Sequence, residues 1–170
     1  ESETVITKCR IQGFWTVKCF NPNGTLAWKQ VYANGITTGG INDLLDVGFR
    51  AQSQKTAWYV GLISNASFTA LAAADTMASH AGWVELDNYS EATRPLWTPN
   101  AATGGAISHT DTIDFTITST GTIRGTFITS VNTKSGTTGI LWSTGLMASA
   151  NAMSNGQTLR TTYSCTITPE

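Results

Sequence analysis

A short apolar run at Ala57–Ile63 sets the strongest limit on how this chain folds. The run reads Ala-Trp-Tyr-Val-Gly-Leu-Ile, lies between polar segments and has the β-branched and aromatic bias of a strand. Its apolar residues occupy consecutive positions, so we expect a strand that is buried on both faces. Gly61 has no side chain, and another backbone or a bulky ring can therefore lie against it.

The second half of the chain has the pattern of half-buried strands. Apolar and polar residues alternate over 113–118, 122–129 and 159–167, a further apolar segment covers 140–147, and Gly-rich turns separate them. Strands at spacings of about ten residues predict an antiparallel sandwich or barrel. We therefore expect an all-β protein, with an antiparallel, jelly-roll-like β-sandwich over residues 34–170.

The N-terminal region predicts a long β-hairpin. Apolar residues alternate with polar ones over 4–20 and return over 25–32, and Asn21–Gly24 has the Asn, Pro and Gly of a tight turn. Gly13–Phe14 predicts a shift of register of the kind that a β-bulge produces.

We interpret residues 1–33 as an extended N-terminal hairpin or arm that precedes the sandwich. Trp15 and Trp28 are candidate cross-strand partners within it. Two interpretations of the hairpin remain open. In one, the two indoles pack as ordinary core residues. In the other, the hairpin reaches out and adds a strand to a neighbouring subunit.

One short helix is predicted at about residues 38–48. Thr37 or Thr38 can cap its start, and Gly48 can end it. Helical spacing is followed by Ile41, Leu44 and Leu45. A second short helix is a weaker prediction over 68–79, where alanines favour helix but the length is marginal.

Composition narrows the classes of function. Charged residues make up 12% of the chain, about half the usual share, and the net charge is −1, so electrostatics gives no case for binding nucleic acid or an anionic membrane. Polarity comes instead from 29 threonines, which suit the solvent face of strands. No apolar run approaches the length of about 18 residues that spans a bilayer.

The cysteines and the first residues indicate a chain made in a reducing compartment. Cys9, Cys19 and Cys165 are odd in number and widely spaced, which argues against a disulfide framework or a zinc site. We expect three small buried thiols. The opening Glu-Ser-Glu-Thr is unlike a signal peptide.

No catalytic, metal-binding or cofactor-binding residues are predicted. His109 lies beside Ser108 and near Asp111, but this spacing in a strand or loop does not make a triad. The segment Asp75–His80 is interpreted as a capped turn whose polar side chains satisfy local backbone groups. No nucleotide-binding motif is present.

Aromatic residues are the candidates for contact with a partner. Trp58 and Trp142 lie in apolar runs and are assigned to the core. The candidate partner-binding residues are Phe14, Trp15, Trp28, Trp83 and Trp97.

Several stretches resemble a group of small structural proteins of tailed bacteriophages. The likeness is carried by 34–46, 56–62 and 74–83, with a further match at 127–139. Together these stretches cover roughly residues 34–167, and the N-terminal hairpin matches less well. The resemblance carries no catalytic residues.

The resemblance implies a virion component, most simply a capsid cement or decoration protein. Such a protein is made in the bacterial host cytoplasm and lies on the capsid exterior, where it binds between subunits of the major capsid protein. It would follow the local symmetry of the shell as a dimer or trimer. The alternatives are a tail or head-fibre component that contacts the host, a carbohydrate-binding β-sandwich module and, least favoured, an enzyme.

Overall fold

The computed structural model describes residues 8–169, and its content is 49% strand and 7% helix. The helix α1 is Thr38–Phe49. The strands are β1 (Cys9–Phe20), β2 (Leu26–Ile36), β3 (Trp58–Ser64), β4 (Glu85–Leu86), β5 (Leu96–Trp97), β6 (Ala106–Ile107), β7 (Ile113–Thr116), β8 (Gly121–Thr129), β9 (Leu141–Met153) and β10 (Thr158–Pro169).

The strands form one antiparallel sheet in the order β4-β3-β8-β9-β2-β1-β10-β6, with β5 added to β3 and β7 added to β10. Pairing is nested along the chain, because β1 pairs with β10, β2 with β9 and β3 with β8. Val60 and Leu62 of β3 share one core cluster with Trp15 and Val17 of β1. The sheet therefore folds over on itself, and the predicted all-β sandwich with one short helix is confirmed.

Strand β3 is buried on both faces, as its apolar run predicts. Val60 and Leu62 belong to the main core cluster, whereas Ile63 belongs to a second cluster that contains Phe127. The Phe127 ring lies against Gly61, directly across from it on β8, and fills the space of the missing side chain. The predicted approach of a bulky ring to Gly61 is confirmed.

The N-terminal hairpin is present, but the prediction that it forms a separate arm is wrong for the described residues. β1 pairs with β10 along its whole length and with β2 on its other side, and β2 pairs in turn with β9. The physical reason is the apolar face of β1, where Trp15, Val17 and Cys19 are fully buried. Such a face needs cover, and β2 also runs past the expected boundary after residue 33.

Two details of the hairpin also differ from expectation. The register shift lies at Cys19/Phe20 and not at Gly13–Phe14. Gly13 keeps the regular pairing with β2, and the Asn34 side chain and the Tyr163 ring occupy the space that its own side chain would take. Trp15 pairs across the strands with Tyr32, and Trp28 pairs with Cys19. The two indoles are therefore not cross-strand partners.

Helix α1 confirms the prediction for residues 38–48. The Thr37 hydroxyl caps its start by accepting a hydrogen bond from the Gly40 amide at 3.0 Å. The Thr37 amide also donates to the Trp142 carbonyl at 3.0 Å, which fixes the helix start to β9. Gly40 lies against the Trp142 backbone, where a larger residue would collide.

The second helix predicted over 68–79 is wrong, since this segment forms turns. The Asp75 carboxylate accepts hydrogen bonds from the Ala72 amide at 2.9 Å and from the Trp83 indole at 3.0 Å. A side chain that competes in this way for backbone donors favours a turn over a helix. The Trp83 indole, itself buried, holds the turn against the second core cluster.

The cysteines follow the prediction in part. Cys19 and Cys165 are buried free thiols, and burial raises the pKa of Cys19 to about 11. Cys9 is exposed, so its predicted burial is wrong; it lies at the first position of β1, where the sheet ends. Within residues 8–169, no helix has both the length and the apolar character needed to cross a membrane.

Candidate functional site

The five candidate partner-binding aromatics are placed in different surroundings. Trp15, Trp83 and Trp97 are buried, and of these three Trp97 also lines a cleft described below. Trp28 is half-buried, and its indole donates to the Ala152 carbonyl at 3.3 Å. Phe14 is 42% exposed and is the candidate whose ring is open to contact.

Two of the buried indoles meet around one tyrosine. The ring centroids of Trp15 and Trp97 lie 4.7 and 5.2 Å from that of Tyr163. The Tyr163 hydroxyl also accepts from the Trp142 indole at 3.2 Å. Burial raises the pKa of Tyr163, so its hydroxyl stays neutral and acts as a structural bridge.

The first exposed surface is the solvent side of β2, β1 and β10, here called the outer sheet face. Side chains alternate along a strand, so Phe14 and Thr16 point outward while Trp15 points inward. Register places Thr16 between Val31 on β2 and Thr162 on β10. Val31 is 59% exposed. Phe14 and Val31 thus form an apolar centre on a surface otherwise rich in hydroxyls.

A row of cations lies one step along the same face. Lys18 is in register with Lys29 on β2 and with Arg160 on β10. Arg160 forms a two-pronged pair with Asp114, at 2.9 Å and 2.7 Å, and this contact raises the pKa of Arg160. Among the described residues Lys18 and Lys29 form no ion pair, so the row carries a net positive charge.

The second exposed surface is the apolar side of α1, here called the helix stripe. It consists of Ile41, Leu45 and Phe49, each at least one third exposed. Phe49 is 86% exposed, which is unusual for a phenylalanine in a folded domain. Contiguous exposed apolar residues of this kind mark surfaces that contact other molecules.

A cleft of about 360 Å³ lies on the other side of α1. Leu44 and Val47 line it from α1, and Trp58, Trp97 and Trp142 line it from β3, β5 and β9. Lys55 and Asp43 also line it, and their Nζ and Oδ1 atoms lie 2.8 Å apart. Their charges cancel, which leaves an apolar hollow of the size that holds side-chain-sized groups.

His109 has a structural contact. Its Nε2 atom accepts a hydrogen bond from the Tyr163 amide at 2.9 Å, at the gap in the edge of β10 between β6 and β7. Burial lowers the pKa of His109, while Asp111 acts in the opposite direction. The neutral ring therefore takes the place of a strand carbonyl in the β-ladder.

The capped turn predicted at Asp75–His80 is confirmed. The Thr76 hydroxyl accepts from the Ser79 amide at 3.0 Å, and His80 Nδ1 lies 2.9 Å from the Trp83 carbonyl. The His80 ring stacks on Trp83 with centroids 3.9 Å apart. Within the described part of the chain, no three His, Cys, Asp or Glu side chains are grouped to hold a metal ion.

Sequence reasoning missed the exposed residues that matter most. The spacing of Ile41, Leu45 and Phe49 at intervals of four was readable, but helical spacing alone does not tell a core-facing stripe from an exposed one. The exposure of Val31 depends on the register of β2 against β1, which a local sequence pattern does not record. Comparison with known proteins adds nothing to the assignment, since neither any protein-family model nor any curated protein matches this chain.

Proposed function

We propose that this chain is a non-enzymatic structural protein of a tailed-phage virion. In this proposal it is a cement protein on the capsid exterior, where it binds between subunits of the major capsid protein and stabilises the head. The resemblance over residues 34–167 supplies the class of protein. The outer sheet face and the helix stripe support it, because each exposes apolar side chains that could contact a neighbouring protein.

The observation that carries the proposal is the apolar centre of the outer sheet face. Phe14 and Val31 are 42% and 59% exposed and lie among Thr and Ser side chains on a three-strand face. Hydroxyls lose less than charges do when water is removed, and apolar side chains gain roughly 25 cal/mol for each Å² buried. An apolar centre within a polar rim is the usual anatomy of a protein interface.

The cation row adds a charge preference to this contact. Lys18, Lys29 and the partly neutralised Arg160 favour an acidic patch on the capsid protein. Exposed charges at the rim of an interface act mainly on the association rate and are screened by salt. Binding to the capsid is therefore expected to weaken as ionic strength rises.

The test uses heads assembled from the cognate major capsid protein without this chain. Purified protein is added, bound copies are counted by sedimentation, and the thermal resistance of the heads is measured. We expect saturable binding with raised thermal resistance, and a loss of affinity of about tenfold or more when Phe14→Ser and Val31→Ser are combined. Val84→Ser, an exposed apolar residue outside both surfaces, is the matched control.

Two results would count against the proposal. Failure of the native protein to bind heads, combined with saturable binding to host cells, would favour the tail or head-fibre alternative. Equal binding by the native protein and the Phe14→Ser, Val31→Ser variant would move the contact away from the outer sheet face.

A further inference from the structure

Phe49 is a projecting apolar group that the described residues 8–169 leave uncovered. It is 86% exposed, the highest value among the large apolar side chains that the structure describes as exposed. It lies at the last position of α1, next to Gly48, whose side-chain position faces open space. The ring and the backbone beside it can therefore both approach another molecule.

The cleft behind α1 matches that ring in size and polarity. Its volume is about 360 Å³, whereas an apolar cavity of about 150 Å³ is enough to hold a benzene molecule. Indoles surround it, and an aromatic side chain packs well against such rings. The ion pairs Asp43–Lys55 in the cleft and Asp46–Arg50 beside Phe49 cancel the local charges.

Phe49 cannot enter the cleft of its own chain. Residues advance about 100° around an α-helix, so Phe49 lies roughly 140° from Leu44 and 160° from Val47, which line the cleft. All three are fixed to one helix of 12 residues, which is anchored at its start by Thr37. Phe49 can therefore reach such a cleft only on a second copy of the chain.

We infer that the cleft binds Phe49 of a second copy of this chain. The projecting ring and the hollow lie at different places on each molecule, so Phe49 of one copy meets the cleft of another either reciprocally in a two-fold dimer or head-to-tail in a closed ring. The inference deepens the proposed function and rests on it for its setting, since cement proteins gather around symmetry axes. Its test uses the purified chain alone, so either idea can fail while the other stands.

The first test measures self-association by analytical ultracentrifugation over a concentration series. We expect the native chain to form a small closed oligomer, and Phe49→Ser to weaken this association roughly 30-fold or more, as for a central interface residue. Val84→Ser, an exposed apolar residue outside both surfaces, is the matched control and is expected to associate like the native chain. A native chain that is monomeric at every concentration would overturn the inference.

A mixing test checks the pairing itself. Ala102→Trp places a bulky ring in the cleft but keeps Phe49, whereas Phe49→Ser keeps the cleft. Neither variant should associate alone, and their mixture should form a 1:1 pair through one intact contact. Association of Phe49→Ser like the native chain, or a mixture that stays monomeric although both variants are folded, would refute it.

A third measurement does not depend on the Ala102 variant. Dilution of the native chain should shift tryptophan emission to longer wavelength, because emptying the cleft exposes its indoles to water. Phe49→Ser should already show the shifted emission and should not change on dilution. Identical emission from both proteins at high concentration would contradict the inference.

Discussion

Replacing Glu85 with Gln is expected to destabilise the fold strongly. Glu85 accepts from Arg94 through both carboxylate oxygens, at 2.9 Å and 2.7 Å, and the two side chains are 6% and 0% exposed. Arg94 also donates to the carbonyls of Val131 and Gly136, and the Ser135 amide donates to Glu85. The pair thus ties β4 to the connection between β8 and β9.

The size of the effect follows from burial. A glutamine keeps the shape but leaves the guanidinium of Arg94 without its countercharge, and breaking a buried pair in this way costs about 3–5 kcal/mol. The total free energy of unfolding of a native protein is only about 5–15 kcal/mol, so this loss is a large share of it. Asp46→Asn is the matched control, since its partner Arg50 is largely exposed and such surface pairs contribute about 0–1 kcal/mol.

The assay is urea unfolding followed by tryptophan fluorescence, with a double-mutant cycle over Glu85→Gln and Arg94→Met. Removing both charges should cost less than the sum of the single changes, because no unpaired charge remains. The loss should not disappear, since the carbonyls of Val131 and Gly136 still lack their donor. A cost below about 1 kcal/mol for Glu85→Gln would refute the reasoning.

Two further predictions concern single residues. Burial lowers the pKa of His109 below its ordinary value of 6.5, so the contribution of its neutral ring to stability is complete above about pH 6.5 and is lost as pH falls through the lowered pKa. In His109→Gln the amide oxygen can accept the same hydrogen bond, so the free energy of unfolding, measured over a pH series, should lack this step. The same loss of stability in acid for both proteins would count against this role of His109. Gly61→Ala should cost about 1–3 kcal/mol in urea unfolding, because the fully buried Phe127 ring occupies the space of the new methyl group; a neutral effect would show that the ring can move.

Local patterns predicted the elements of this fold well. The consecutive apolar residues of Ala57–Ile63 predicted a strand buried on both faces, and Thr37 with the spacing after it predicted α1. Both signals depend on neighbours within a few residues, which sequence periodicity records directly.

The placement of the elements could not be read in the same way. Whether β1 projects as an arm or lies inside the sheet depends on β10, whose partner residues are about 150 positions away along the chain. The alanines before Asp75 favour helix locally. The hydrogen bonds that the Asp75 carboxylate accepts from the Ala72 amide and the Trp83 indole stabilise a turn instead. Tertiary contacts also decide which aromatics are exposed, so Trp83 and Trp97 lie inside while Phe14 stays open.

The most direct test of the account is a reconstruction of heads decorated with this protein. It asks which surface of the chain faces the shell. We predict that the outer sheet face, with Phe14 and Val31 at its centre, lies against the major capsid protein, and that α1 lies between neighbouring copies. A map in which the outer sheet face points to solvent while another surface contacts the shell would contradict the account.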